Sequence, residues 1–283
     1  MPELPEIEVV RRDLEKEVVG RRIKEVDVRP VRNAMKVVRR HGRRKELQDL
    51  LTGAKVEKIG RLGKRLLFEL DNGHTLVFDL GPSGALLKTS SSDGIEPHTY
   101  VVLAWTIGGQ LRFVDPRTAG EVFVVPTEEL EKDEFRPAGL DPLDNAQPLT
   151  WQQFSTLLEQ RGKRLKDLLL DDGFVLGLGD VYSDEVLWSA ALRWDRDAGS
   201  LSSQDVRRLY RALVETLQEA VKARGASWGD DAFRDLHGQR GAFQEEIRVY
   251  GREGEACRRC RNTVERAEFR KGRFTYFCPQ CQA

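Results

Sequence analysis

The strongest constraint on the fold lies at the C-terminus, where all four cysteines of the chain stand as two close pairs: Cys257 with Cys260, and Cys278 with Cys281. Seventeen residues separate the pairs, and a short hairpin can bring two such pairs together as four thiolates around zinc. Disulfides would need an oxidising compartment, of which the sequence gives no sign, and a redox pair would leave the second pair unexplained. We therefore predict a structural Zn2+ site in a terminal hairpin, with Arg273 exposed at its turn.

A second unusual stretch is the start of the chain, Met-Pro-Glu-Leu-Pro-Glu-Ile-Glu. Removal of Met1 would leave Pro2 with a free secondary amine, whose pKa of about 8 keeps part of it unprotonated at neutral pH. Such an amine attacks an aldehydic carbon to form an iminium ion, and Glu3 stands beside it to donate or accept a proton. A plain acidic helix start is the alternative, because Pro5 and Glu6 both suit a first helical turn.

Local charge, rather than net charge, makes the case for a nucleic-acid partner. The 46 basic and 46 acidic residues cancel, but eight basic residues without an acid lie between Arg29 and Lys45. From Arg248 to the end, nine basic residues stand against four glutamates. Either run alone fits a solvated face, whereas two patches at opposite ends fit a phosphate-lined cleft. With 40% apolar residues, no membrane-length apolar run and no signal peptide, we expect a globular cytoplasmic protein.

The first half of the chain is predicted to be rich in strands. Residues 5–18 have the periodicity of an amphipathic helix, which ends at Gly20. From residue 22 to residue 125, short apolar or alternating runs are separated by turn residues. Two of the turns, Asn72-Gly73 and Gly108-Gly109, predict hairpins. This density of short strands is typical of a sandwich or a barrel.

The second half is predicted to be helical. Prolines mark a linker, and residues 151–223 then have a helical pattern in which Ser202 is a candidate N-cap. An apolar stripe follows that cap, typical of a core-facing helix: Val206, Leu209, Leu213, Leu217 and Val221. The turn Gly177-Leu178-Gly179 can bring backbone amides to a phosphate, although taken alone it is better explained as a simple helix–helix turn. Residues 224–246 are rich in Gly, Asp and Arg and predict a mobile loop.

Together these parts resemble the formamidopyrimidine-DNA glycosylase/endonuclease VIII family over essentially the whole chain, and its formamidopyrimidine branch more closely. The motifs that carry the resemblance are the first eight residues, residues 63–67 around Lys64, the Asp115-Pro116-Arg117 segment, and the zinc-finger segments 250–257 and 277–282. The resemblance implies an α+β fold, in which a catalytic β-sandwich domain (1–135) is opened by a helix and a linker (136–150) follows. A helix-two-turn-helix DNA-binding domain (151–246), with its flexible loop 224–246, and a zinc finger (247–283) complete the chain.

The resemblance also implies a role for four catalytic residues. Pro2 would form a Schiff base with C1′ of the lesion sugar, and Glu3 would protonate the ring oxygen or the leaving group. Lys64 would assist β-elimination and contact a phosphate. Arg273 would hold phosphates and assist δ-elimination. Such a protein would be a base-excision-repair DNA glycosylase with AP-lyase activity.

DNA contacts are implied for further residues of this sequence. His98, Arg161 and Lys166 fall where family members contact the backbone, and Arg117 matches the arginine that fills the gap left by a flipped base. Base flipping is the expected route, because C1′ is not open to attack inside the stack. The expected partner is double-stranded DNA with a lesion or an abasic site, bound by a monomer that associates with the nucleoid and with no membrane.

Three positions depart from the family pattern. Pro82 stands where the family has a methionine wedge, and Ala119 stands where it has a phenylalanine wedge. Asp180 replaces an asparagine of the Gly-x-Gly-Asn turn, and a carboxylate repels a DNA phosphate unless it is protonated, paired or bridged by a cation. These departures leave the excised lesion and the opposite-base preference open.

Two hypotheses of different classes follow. In the first, the chain is an active glycosylase and lyase, acting on an atypical lesion or simply on abasic sites. The four catalytic residues named above, which are all in place, favour it. In the second, it is a non-excising paralogue that binds damaged or distorted DNA, and the departures at Asp180, Pro82 and Ala119 mark lost chemistry or altered DNA engagement. A zinc-dependent structural module with no DNA role would leave the Pro-Glu start unexplained.

Overall fold

The computed structural model describes residues 1–132, 135, 138–144, 146–229 and 232–282, and the chain forms two compact units. The first consists of Met1–Arg136 and Arg224–Ala242, the second of Pro137–Ala223 and Phe243–Ala283. Residues 224–242, which the sequence analysis placed in the helical domain, thus group with the N-terminal strands. The predicted linker, residues 136–150, lies partly outside the described residues.

The first unit is a β-sandwich opened by a helix, as predicted. Its elements run in chain order as α1 (Leu4–Val18), β1 (Ile23–Val28), α2 (Ala34–Val37), α3 (Arg44–Leu51), β2 (Val56–Leu62), β3 (Arg65–Leu70), β4 (His74–Asp79), β5 (Ala85–Thr89), β6 (Thr99–Trp105), β7 (Gln110–Val114) and β8 (Glu121–Pro126). The strands form two four-stranded sheets of order β1-β6-β7-β5 and β2-β3-β4-β8. All neighbouring strands are antiparallel.

Both predicted hairpins are present. Strands β3 and β4 pair with Leu67 opposite Val77, and their turn closes at Gly73 with a φ of +79°. Strands β6 and β7 pair across Gly108 and Gly109, whose φ values are +78° and +69°. Positive φ values cost glycine little, so the turn residues fix the register of both hairpins.

Helices α2 and α3 correct the prediction of strands throughout residues 22–125. Helix α3 buries Leu47 and Leu51, which are four residues apart, and leaves Lys45 and Glu46 exposed. That spacing is helical, and Arg, Lys, Glu, Gln and Leu all favour a helix. The run of basic charge around these residues obscured the periodicity.

Aromatic rings fill the space between the two sheets. Phe78 of β4 lies 5.2 Å from Phe68 of β3 and 5.9 Å from Phe113 of β7, measured between ring centroids. All three rings are almost fully buried. Burial of a side chain of this size stabilises the fold by roughly 1.5–3 kcal/mol, so the unit has a core of its own.

The second unit combines helices with a terminal hairpin. Its helices are α4 (Trp151–Glu159), α5 (Leu165–Leu169), α6 (Asp180–Ala190) and α7 (Ser203–Lys222). Strands β9 (Glu265–Arg270) and β10 (Arg273–Phe277) form the antiparallel hairpin. The predicted helix-two-turn-helix region and zinc-finger hairpin are therefore both present.

Helix α7 confirms two details of the sequence analysis. The hydroxyl of Ser202 caps it by accepting a hydrogen bond from the amide of Asp205 at 3.2 Å. The whole predicted stripe from Val206 to Val221 is buried. Across the described residues no helix, α7 included, has both the length and the apolar character needed to cross a membrane.

Candidate active site and zinc centre

The start of α1 holds the two residues predicted to carry the chemistry. Pro2 is buried, and Glu3 is the N-cap of the helix with a side chain that is 5% exposed. Met1 is exposed. The Pro2 nitrogen is an amide while Met1 is attached, and removal of Met1 would make it a free amine. This geometry keeps the candidate nucleophile and the candidate acid adjacent.

A buried carboxylate fixes this start in place. One oxygen of Glu6 accepts a hydrogen bond from the amide of Glu3 at 2.8 Å, and the other accepts one from the amide of Ala226 at 2.8 Å. Gly225 packs so closely that a Cβ there would lie 2.7 Å from Glu6 Oε1, and its φ is +80°. The segment after Arg224 therefore supports the N-terminus, a role that its composition did not reveal.

Lys64 lies in the two-residue turn between β2 and β3, directly after Gly63 with its φ of +56°. Arg61 supports this turn by donating to the Gly63 carbonyl at 3.1 Å and to Glu8 of α1 at 3.1 Å. Burial raises the pKa of Glu8, but hydrogen bonds from arginines of α1 and the charge of Arg61 lower it overall. A charged, buried pair thus links the reactive helix to the turn that carries Lys64.

Asp115 joins the two loops that carry the predicted gap-filling residues. Its fully buried carboxylate accepts hydrogen bonds from the hydroxyl of Ser83 at 2.5 Å, the amide of Arg117 at 3.2 Å and the amide of Gly120 at 2.8 Å. Pro82 is half-buried beside Ser83, and the side chain of Arg117 is exposed. The structure therefore brings Pro82 and Arg117 together through a residue whose role the sequence analysis missed.

His98 is exposed and adopts a φ of +64° at the end of a loop. Arg112 holds that loop from inside, because its fully buried guanidinium donates to the carbonyls of Gly94 at 2.6 Å and Asp93 at 2.9 Å. The carbonyl of His98 accepts from the amide of Asp115 at 3.0 Å. The predicted backbone contact therefore lies on a strained but well-anchored turn.

In the second unit, Asp180 and Arg273 meet directly. Asp180 is the first residue of α6, after the N-cap Gly179, and its carboxylate accepts a hydrogen bond from Arg273 Nη2 at 2.8 Å. The two side chains remain 32% and 42% exposed. Arg161 is half-buried and donates to the carbonyl of Gly173 at 3.0 Å. Arg273 thus lies at the hairpin turn with a partly exposed side chain, as predicted, and in addition forms an ion pair with Asp180.

Lys166 corrects another expectation. Its side chain is fully buried, and its ammonium donates to Asp184 at 2.6 Å, to the Ser183 hydroxyl at 2.8 Å and to the Asp180 carbonyl at 3.1 Å. In this structure the ammonium reaches no surface, so a direct DNA contact is not supported. Lys166 instead braces the first turn of α6, because a buried ammonium requires acceptors on all sides.

Two consecutive acids of α6 anchor the terminal module. Asp184 accepts hydrogen bonds from the Thr275 hydroxyl and from the Tyr276 amide, the latter at 2.8 Å. Glu185 accepts from the amides of Arg248 at 2.9 Å, Val249 at 2.9 Å and Tyr250 at 3.0 Å. Burial raises the pKa of both carboxyls, whereas these donors favour their charged forms.

The four cysteines form a cluster that fits zinc. Their sulfur atoms lie within 4.8 Å of one another, with Cys257 and Cys281 3.9 Å apart and Cys260 and Cys278 3.5 Å apart. Zinc–sulfur bonds of about 2.3 Å place the sulfurs of a tetrahedral site about 3.8 Å apart. Burial raises the pKa of Cys257, but hydrogen bonds from backbone amides and from Trp188 lower it to about 6. Burial and the neighbouring thiols raise the pKa of Cys278, and that of Cys281 to about 12, so a bound cation would be needed to hold all four as thiolates. Zinc, when bound, would hold the hairpin closed.

Comparison with known proteins assigns the chain to a family. The family model for the formamidopyrimidine-DNA glycosylase N-terminal domain matches residues 1–122, and that for its H2TH domain matches residues 138–231. The model for the zinc finger found in FPG and IleRS matches residues 254–283. The chain belongs to the formamidopyrimidine-DNA glycosylase family.

Relatives of this family match over their full lengths. Formamidopyrimidine-DNA glycosylase of Pelotomaculum thermopropionicum is 37% identical, covering 100% of this chain and 99% of the relative. The Lactococcus lactis Fpg in complex with DNA containing an abasic site has a TM-score of 0.87 at 31% identity, with 99% of each chain covered. The MutM (Fpg) protein of Thermus thermophilus has a TM-score of 0.84 at 37% identity, covering 99% and 98%.

The family assignment confirms the predicted fold, the DNA-glycosylase class of enzyme and the structural zinc site. The roles given to individual residues of this formamidopyrimidine-DNA glycosylase family member stay predictions, as do the predicted domain boundaries. The residues missed by the sequence analysis, Asp115, Arg112 and Glu185, act through buried contacts with distant segments. The Asp-Pro-Arg motif was the available signal for the first of these.

Proposed function

We propose that this family member is a base-excision-repair glycosylase with AP-lyase activity on double-stranded DNA that carries a damaged base or an abasic site. The buried Pro2-Glu3 start, held by Glu6, is the observation that carries the proposal. The solved complexes of Lactococcus lactis Fpg with abasic-site DNA support the choice of partner. Since such DNA is chromosomal, we place the protein at the nucleoid.

The chemistry begins once Met1 is removed. The Pro2 nitrogen attacks C1′, a nitrogen–carbon bond forms, and the glycosidic bond breaks with its electron pair moving to the base. Glu3 supplies a proton to the departing base or to the ring oxygen, and the sugar opens as an iminium ion. On an abasic site the same amine condenses with the free aldehyde and releases water.

Strand cleavage follows from the electron-withdrawing iminium ion. Loss of a proton from C2′ expels the 3′ phosphate, a β-elimination that we assign to Lys64 as the assisting group. A second elimination expels the 5′ phosphate. Arg273, whose guanidinium offers a planar set of donors, would hold phosphate oxygens during both steps.

Borohydride trapping tests this proposal. Protein shown by mass to carry a free Pro2 is incubated with a duplex containing one abasic site and then reduced. We expect a covalent adduct that Pro2→Gly weakens or abolishes. Glu3→Gln should still be trapped on abasic DNA, because no base must leave there, but should release a damaged base about 100-fold more slowly.

The second candidate function is binding of damaged DNA without excision. The small side chains of Pro82 and Ala119 at the predicted wedge positions favour it, because little apolar bulk remains to fill the gap left by a flipped base. Absence of a trapped adduct from protein with a free Pro2 would support this candidate. A trapped adduct would establish Schiff-base chemistry on abasic DNA, and release of a base from a panel of damaged duplexes would then rule this candidate out.

A further inference from the structure

Asp180 forms an ion pair with Arg273, at a position where the family resemblance implies an asparagine. Asp180 Oδ1 lies 2.8 Å from Arg273 Nη2, at the amino end of α6. That end of a helix stabilises negative charge, so the carboxylate is held there both by Arg273 and by the helix. An asparagine would leave the guanidinium its full charge.

Neighbouring side chains fix the position of the Arg273 guanidinium within the second unit. Its guanidinium stacks over the ring of Phe269, 5.1 Å from the centroid, which fixes its plane. The neighbouring Arg270 has its own partner, Asp167, at 2.8 Å. The backbone carbonyl of Asp180 accepts a hydrogen bond from Lys166, and its carboxylate accepts one from Arg273. Both the backbone and the side chain of Asp180 are therefore held in place. The Asp180–Arg273 pair is therefore held in a defined geometry but is half-exposed, so an anion from solution can compete for Arg273.

We propose that Asp180 is an internal competitor for the phosphate that Arg273 would bind. This inference rests on the proposed function and specifies how DNA affinity is set. A phosphate must displace the carboxylate or share the guanidinium with it, so one cationic contact is partly cancelled. The chain thereby trades affinity for a binding constant that changes less with ionic strength.

An opposite role for Asp180 makes the opposite forecast. If the carboxylate mainly orients Arg273 toward DNA, its removal would release the arginine and weaken binding. If it competes, removal would strengthen binding and add about one released counterion to the salt dependence. The sign of the change therefore separates a competing residue from a positioning residue.

The experiment measures binding of the full, zinc-loaded protein to a duplex with a tetrahydrofuran abasic analogue, which lacks the aldehyde, over a range of salt concentrations. We expect Asp180→Asn to bind more tightly and to steepen the slope of log K against log salt by about 0.9. Its advantage over the unsubstituted protein should accordingly shrink by about 3.5-fold between 50 and 200 mM salt. Equal or weaker binding with an unchanged slope would overturn the proposal.

Two further variants make the result specific. Arg273→Gln, added to Asp180→Asn, should abolish the gain in affinity and return the salt slope to about that of the unsubstituted protein, because the released guanidinium is then missing. The comparison is made in the Asp180→Asn background, since Arg273→Gln alone would leave an unpaired carboxylate that repels phosphate. Asp167→Asn removes the carboxylate of the adjacent Arg270 pair and changes the net charge equally. If it reproduces the full effect of Asp180→Asn, the effect is general electrostatics and the proposal is wrong.

Failure of the proposed function can be told apart. An unsubstituted protein with no preference for the analogue over intact duplex would contradict the repair function. The slope comparison can still be made on intact duplex, where Arg273 would meet the same phosphates. A steeper slope for Asp180→Asn would support the competitor role there, and an unchanged slope would refute it.

Discussion

Helices α1 and α6 solve the same problem in different ways. Each begins at a proposed functional residue, and each uses buried carboxylates to hold a segment distant in sequence. On α1 these carboxylates are spread along the helix: Glu6 bridges two backbone amides, Glu8 pairs with Arg61, and Asp13 pairs with Arg224. On α6, Asp184 and Glu185 together bind four backbone amides, a hydroxyl and the buried ammonium of Lys166.

The size of the supported segment explains the difference. The segment held by Glu6 belongs to a unit with a two-sheet aromatic core. The terminal module packs a small apolar cluster against Trp188 of α6, consisting of Val249, Cys257, Val264 and Cys278. A module of this size cannot be held by apolar burial alone and needs metal and polar anchors. The position of Arg273 therefore depends on the zinc site and on the buried carboxylates of α6, and each of these can be removed separately by substitution.

Removal of zinc should produce the largest effect. Cys278→Ser, or a strong chelator, should unfold the β9–β10 hairpin, because metal binding worth about 10–16 kcal/mol folds structural zinc modules. We expect zinc content to fall below one per chain, amide exchange to accelerate in residues 257–281, and DNA binding to be lost. The N-terminal strands should keep their slow exchange, and loss of their protection would contradict the independence of the two supports.

Glu185 should give the next largest effect. Glu185→Ala would leave three buried amides without their acceptor. We expect the free energy of unfolding of the second unit to fall by about 3 kcal/mol. Glu219→Ala is the matched control, because Glu219 also pairs with Arg248, at 2.6 Å, but is 50% exposed. That control should cost under about 1 kcal/mol. Equal losses from both variants would show that buried anchoring is unimportant.

Glu6 should give the smallest of the three effects on stability. Glu6→Ala removes the acceptor for two amides, so we expect a loss of about 2 kcal/mol in thermal unfolding and slower borohydride trapping on abasic DNA. Glu15→Gln on the same helix, whose side chain is 55% exposed, should change neither. Trapping at the normal rate by Glu6→Ala would mean that this carboxylate stabilises the fold without positioning Pro2.

Features set by neighbouring residues could be predicted from the sequence. Turn glycines predicted both hairpins, cysteine spacing predicted the zinc cluster, and Ser202 predicted the start of α7. Each of these depends on backbone conformation or on ligands a few residues apart. The β-sandwich could also be predicted, because short strands separated by turns admit few architectures.

Features set by distant partners could not be predicted in this way. Nothing near Lys166 in sequence distinguishes a buried lysine from an exposed one, because its acceptors lie 14 to 18 residues away. The same holds for Arg112 and its loop, and for residues 224–242, whose contact with Glu6 spans about 220 positions. The Asp180–Arg273 pair joins residues 93 apart, so the sequence showed the substitution without its partner.

The hydrogen bonds by which Asp115 joins its two loops have a consequence for which substitutions these loops can accept during evolution. A Cβ on Gly81 would lie 2.9 Å from the Gly120 amide nitrogen, and one on Gly120 would lie 2.7 Å from a backbone carbonyl, so the two loops admit no bulk at their junction. The side chains of Pro82 and Ala119 are not part of that junction. Side chains at positions 82 and 119 can therefore be substituted without adding bulk at the junction. If these side chains fill the gap left by a flipped base, as proposed, such substitutions would change the DNA contacts while the fold stays the same.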